Sequence, residues 1–231
     1  MHIPDGFINA GTSLGAGILS AGGIGYSLRR AKDFLDDNRA PIAGLVAAFV
    51  FAVQMINFPV AAGTSGHLLG GVLAAVLLGP WLAAICIAVV LMVQAVVFAD
   101  GGLSALGLNI LNLSFIGVLG GWAIFLILRK VLPATPFGVT LAAGVAAGLS
   151  VPVAALGFVA EYAIGGAGSV PVASVATAMV GVHLLIGVGE GIITALTVGA
   201  VLASRPDLVY GATGIEPRIQ LIPLTREEIA Q

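Results

Sequence analysis

The chain has 231 residues, of which 59% are hydrophobic and 9% charged, with 33 glycines and a formal net charge of −2. An ordinary soluble domain carries about a quarter charged residues, so this composition excludes one and places the chain in a bilayer. No basic run marks a nucleic-acid partner, and a single cysteine, Cys86, within an apolar run leaves no disulfide framework and no thiolate metal cluster.

The chain opens Met1-His2-Ile3-Pro4-Asp5-Gly6, and its first basic residue, Arg29, lies beyond the first apolar stretch rather than before it. A cleaved leader is therefore not expected, which keeps Met1 and His2 in the mature protein. A free α-amine, the backbone nitrogen of His2 and its imidazole Nδ1 can close a five-membered and then a six-membered chelate ring around one ion. Nitrogens set in a plane favour Ni(II), Cu(II) or low-spin Co(II). Pro4 holds the residue before it extended and Gly6 permits a turn, so the first residues can fold back into the protein. Asp5 is then either an outer acceptor that orients an imidazole or a loop amide, or a solvated cap.

Hydropathy predicts an all-α polytopic membrane protein with seven helices, at about 10–28, 41–62, 66–79, 81–98, 108–128, 137–160 and 174–203, set against a core of about 30 Å. The third is short, a partial span to be shielded by its neighbours, and Gly79-Pro80 turns tightly into the fourth. Residues 1–203 read as one transmembrane domain, and 204–231 as a cytoplasmic tail broken by Pro206, Pro217 and Pro223. Arg29, Arg30, Lys32, Arg39, Arg129, Lys130, Arg205, Arg218 and Arg226 all fall on one side of this arrangement, which makes that side the cytoplasm. The N-terminus is then outside, on a face whose charged residues are Asp5, Asp100 and Glu161 and which concentrates cations.

His2 and His67 share that face, and His183 lies inside the seventh span. The Met1 α-amine, the His2 amide and imidazole nitrogens and the His67 imidazole make a four-nitrogen set that favours Ni(II) or Cu(II) over tetrahedral Zn(II). Asn57, Asn109 and Asn112 lie near the same ends. Asn109 and Asn112, three apart on one helix, either hydrogen-bond the inserted N-terminal segment or cap and bridge helices. Thr64 and Ser65 read as loop and N-cap residues of the third helix. Small residues recur four apart at Gly11/Gly15, Gly66/Gly70, Gly117/Gly121, Gly144/Gly148 and Gly187/Gly191, a pattern that lets helices approach closely.

A rival reading takes His183 and Glu190, seven residues and about 10 Å apart on the last helix, as the relay of a proton-coupled secondary carrier or channel for divalent cations. Against it, spans one to six have no Asp, Glu or His near mid-membrane. No H-E-x-x-H or G-x-S-x-G motif supports a hydrolase, and no phosphate-binding G-x-x-x-x-G-K-[ST] loop occurs, so an enzyme that hydrolyses ATP is not expected.

The opening Met1-His2-Ile3-Pro4-Asp5-Gly6-Phe7, the Gly66-His67 pair before the third span and the length of the membrane region resemble the CbiM/NikM family, the membrane substrate-capture subunits of energy-coupling-factor cobalt/nickel transporters. The resemblance covers residues 1–203. It implies an N-terminal segment inserted into a seven-helix bundle and metal held by Met1, His2 and His67. The ion is substrate, Co2+ or Ni2+, and no cofactor is implied. The implied partners are a transmembrane coupling subunit, two cytoplasmic ATPase subunits and often a small accessory membrane subunit, in the inner membrane of a bacterial or archaeal cell.

Overall fold

The computed structural model describes residues 1–32, 35, 39–60 and 65–214. Its rods are α1 (Ala10–Ala31), α2 (Arg39–Gln54), α3 (Gly71–Leu78), α4 (Pro80–Val97), α5 (Leu106–Val131), α6 (Pro136–Gly165) and α7 (Val172–Ser204). Of these, α4 to α7 are long and apolar enough to cross a membrane by length and composition alone. Leu14, Leu45, Leu185 and Leu196 stay exposed on the outside of the bundle. Such an apolar exterior suits lipid rather than water.

The rods follow the predicted spans, with two instructive departures. Helix α2 stops at Gln54, and the chain then makes a two-residue antiparallel ladder, Phe58 against Gly66 and Pro59 against Ser65. Helix α3 starts only at Gly71, so His67 precedes it in extended chain. Ser65 is in the ladder and is not its N-cap, while Thr64 lies outside the described residues, as do Arg218, Arg226 and the tail beyond 214. The residue before α3 is Gly70, in the left-handed region at φ 70° with no side-chain cap. The helix is about 12 Å long. Val72, Ala74, Ala75 and Val76 are fully buried, so this short span is walled in by its neighbours. Pro80 then occupies the first turn of α4, where its missing N–H leaves no bond unmade.

The second departure is inside α5, where Leu111–Gly120 is π-helical. Bonds close from i to i+5 there, so positions three apart lose the common phase of an α-helix.

Small residues allow a close approach between α6 and α7. A Cβ at Gly187 would stand 2.5 Å from the Gly148 carbonyl oxygen, and one at Gly144 would stand 2.9 Å from that of Gly191. The Gly11/Gly15 pair makes no such contact: nothing approaches Gly15 within 4 Å. Gly107 instead brings α5 against Gly17 of α1, where the Ser20 hydroxyl donates to the Gly107 carbonyl at 2.6 Å. Arg29 and Arg30 end α1 and Arg129 and Lys130 end α5, cations at helix C-termini where the dipole favours them.

Candidate metal centre

The N-terminal segment is built into the bundle. Pro4 to Phe7 form a turn closed by the Phe7 N–H on the Pro4 carbonyl at 3.3 Å, with Gly6 at φ 76°. Phe7 packs against Phe158 and Tyr162, with ring centroids 5.7 and 5.1 Å away. Beyond it, the Asn9 N–H donates to Gly165 and the Ala167 N–H to Phe7, tying the segment to the end of α6. Ahead of the turn, Ile3 N–H donates to Asn109 Oδ1 at 2.8 Å, and its carbonyl accepts from Asn109 Nδ2 at 3.3 Å and from Gly102 N–H at 2.8 Å. Asp5 Oδ1 accepts from the Ser104 hydroxyl and, at 2.8 Å, from the Ser104 N–H. Those bonds hold its carboxyl below the usual carboxylate range.

This anchoring leaves Met1 fully buried and His2 4% exposed. Burial pushes the Met1 amine down to about 4, against the pull of Asp100, so at neutral pH it keeps a lone pair. His2 is likewise lowered by burial, with Asp100 opposing. Its ring lies beside that of His67, centroids 4.5 Å apart and planes at 55°. His67 Nδ1 is 2.7 Å from the Leu68 carbonyl oxygen, which can only accept. Nδ1 therefore carries the proton, and Nε2, buried and without a partner, keeps its lone pair free. Among the described residues neither ring nitrogen of His2 makes a well-aligned hydrogen bond. Asp100 Oδ1 stands 2.8 Å from His2 Nδ1, an ion-pair distance, and opposes the effect of burial on the imidazole. Among the described residues no three His, Cys, Asp or Glu side chains converge on one point.

The stretch carrying His67 is fixed from two other helices. Glu190 of α7 accepts the Leu69 N–H on Oε2 at 2.8 Å and the Gly70 N–H on Oε1 at 2.7 Å, a buried carboxylate where the dipole of α3 favours one. Gln54 Nε2 donates to the Leu69 carbonyl at 2.6 Å, and Gln94 Nε2 donates to Gln54 Oε1 at 3.0 Å. Both carboxylate oxygens of Glu190 are thus engaged by backbone. His183 donates its Nδ1 proton to Met179 at 2.7 Å, one turn back on its own helix. Asn57 Nδ2 donates to Asp100 Oδ2 at 3.3 Å rather than to the N-terminal segment. Asn112 faces elsewhere: its Nδ2 donates to Glu161 Oε2 at 2.6 Å. The π-helical turns begin between Asn109 and Asn112, which is why the two do not share a face.

Residues 2–208 match the family model described as the cobalt uptake substrate-specific transmembrane region, CbiM. The chain belongs to the CbiM family. Two relatives, both provisionally named, are a metal transport protein of Haloquadratum walsbyi, 40% identical over 91% of this chain and 94% of that protein, and the fused nickel transport protein NikMN of Archaeoglobus fulgidus, 36% identical over 90% of this chain and 68% of that one. The crystal structure of a truncated transition metal transporter superposes with a TM-score of 0.81 at 29% identity, covering 88% of this chain and 99% of that one. As a CbiM-family protein the chain is a cobalt/nickel uptake membrane component.

Sequence reasoning took Asp100 of this CbiM-family chain only as one more charge on its face. A signal was present in Ala99-Asp100-Gly101-Gly102: Ala99 stands at φ 52° and Gly101 at φ 94°, and Cβ atoms at Gly101 and Gly102 would press on Asn109 and Asp5 respectively. The N-terminal segment can approach so closely only because the loop has no side chains there.

Proposed function

We propose that this CbiM-family chain is the substrate-capturing subunit of an ATP-driven energy-coupling-factor importer and that its N-terminus chelates Co2+ or Ni2+ outside the cell. The ligands are the Met1 α-amine, the His2 amide nitrogen, His2 Nδ1 and His67 Nε2. The observation that carries the reading is a buried N-terminus set beside two imidazoles, with His67 Nε2 and the His2 ring nitrogens making no well-aligned hydrogen bond among the described residues. Buried polar atoms left unpaired cost free energy, and a metal ion would satisfy His2 Nδ1 and His67 Nε2 at once. Asn109 holds the backbone between the chelate and the turn, and Asp5 and Asn57 hold the loop that covers it.

Four nitrogens in a plane suit Ni2+ and low-spin Co2+ alike, and a deprotonated amide among them disfavours Zn2+. Energy comes from outside the chain: its only lysines are Lys32 and Lys130, neither in a phosphate-binding motif. We assign it to two cytoplasmic ATPases acting through a transmembrane coupling subunit, with the small accessory subunit on a separate chain. The basic residues at the ends of α1 and α5 support an N-terminus outside. The proton-relay alternative loses its support, because Glu190 is occupied by the amides of Leu69 and Gly70.

The test is a titration of purified protein with Ni2+ and Co2+, beside a chain with one glycine inserted between Met1 and His2. Stoichiometric binding is expected in the first and its collapse in the second. Undiminished binding in the insertion variant would overturn the chelate.

A further inference from the structure

We propose that Asp100 is the carboxylate on which the hydrated divalent cation first lands, and that it passes the ion to His2. The proposal rests on the N-terminal chelate reading and extends it to the route of arrival. Asp100 is the acidic residue that touches both worlds: its side chain is 19% exposed while the His2 side chain beside it is 3% exposed. Oδ2 is held by Asn57, an exposed residue, and Oδ1 stands 2.8 Å from His2 Nδ1.

That short contact is the informative one, because its distance suits a shared ion as well as an imidazole–carboxylate pair. Two atoms that ligate one ion at right angles, each about 2.0–2.2 Å from it, lie about 2.9 Å apart, with lone pairs aimed at the ion rather than at each other. The pair Asp100 Oδ1 and His2 Nδ1 has that separation, and among the described residues Nδ1 makes no well-aligned hydrogen bond. An ion can therefore be held by both atoms before it moves on. Starting from a six-water ion, one water leaves as the carboxylate binds and a second as Nδ1 binds; the carboxylate and the remaining four waters then depart as the Met1 amine, His67 Nε2 and the His2 amide nitrogen, which releases its proton to solvent, close around the metal. The left-handed backbone at Ala99 supports the same reading, since a non-glycine residue there is strained and such strain persists where a neighbouring side chain must be aimed. Asp100 is thus a transient ligand and absent from the final chelate.

Stopped-flow mixing with Ni2+ alone, on the full chain with its native N-terminus, separates on-rate from off-rate. Asp100→Asn is expected to lower the on-rate about tenfold, the low end of what a steering charge supplies, and to leave the off-rate within threefold. Asp100→Glu, which keeps the charge, should stay within threefold of the unmodified chain. The on-rate of the unmodified chain should fall as salt rises, and that of Asp100→Asn should fall less steeply, since Asp5 and Glu161 remain on the face. An unchanged on-rate in Asp100→Asn, or an effect on the off-rate alone, overturns the proposal. Should that variant not fold, a salt-independent on-rate in the unmodified chain overturns it equally. If the glycine insertion leaves binding intact while Asp100→Asn still slows it, the N-terminal chelate is wrong and Asp100 receives the ion for another site.

Discussion

Asn109→Leu tests whether the inserted N-terminus is held in place by one side chain. The substitution keeps the size of the buried residue, 2% exposed, and removes both of its bonds to Ile3. The Ile3 carbonyl keeps Gly102 N–H as a donor at 2.8 Å, so its loss is small. The Ile3 N–H has no other acceptor, and stranding a buried donor costs about 1–3 kcal/mol. Taking about 2 kcal/mol as the penalty on the docked segment, Ni2+ affinity should fall about 30-fold, since each 1.4 kcal/mol is about a factor of ten. Calorimetric titration measures the affinity, and far-UV circular dichroism checks that the helices persist. An affinity within threefold of the unmodified protein, with helicity retained, would refute the reasoning, because the segment would then be held without Asn109.

Glu190→Gln turns a donor toward one of two buried amides, so the thermal midpoint and Ni2+ affinity should fall together, with a penalty of about 1–3 kcal/mol; a midpoint unchanged in a detergent-solubilised melt would count against the clamp. Uptake by vesicles holding the assembled transporter should persist when the proton gradient is collapsed, and loss of uptake would restore the carrier reading. Gly187→Ala drives a Cβ into the Gly148 carbonyl, and separating α6 from α7 should cost about 1–3 kcal/mol, read as the same melt. Asp5 is held below its ordinary range by Ser104, so its contribution is present above that range and is lost as pH falls through the lowered value. Protection factors for hydrogen exchange over residues 1–9, which correct for the intrinsic rate, should therefore fall in acid below about pH 4, and Asp5→Asn should abolish that step.

The rods were legible because their apolar runs are long, and the bilayer leaves a chain few other ways to satisfy its backbone. The ends were less legible. Leucine-rich hydropathy runs through 66–79, yet Gly70 in the left-handed region and the Glu190 carboxylate begin α3 at Gly71, and only tertiary structure shows either. Met1, His2 and His67 could be gathered at one level by counting spans, and Asn109 could be placed near them. Asn112 could not, because a shift to π-helical bonding carries no sequence mark that hydropathy reads. Asp100 was missed for a similar reason: a loop carboxylate is only charge until the chain that folds against it is known. Glu190 and His183 were read as partners from their spacing on one helix, but their hydrogen bonds lead to different acceptors and donors.

The clamp from Glu190 to Leu69 and Gly70 spans 121 and 120 positions, and the bond from Asn109 to Ile3 spans 106. These separations impose an order on biosynthesis. When the ribosome has made the first three helices, both histidines of the candidate centre have been synthesised, yet nothing holds them. Asn109 arrives with α5, the Gly165 contact with α6, and Glu190 only with α7, the last rod to enter the membrane. The first residues translated must therefore wait for α6 before they can dock, and the stretch carrying His67 for α7, so a nascent chain stalled short of α7 would have its metal-ligand residues but no completed site.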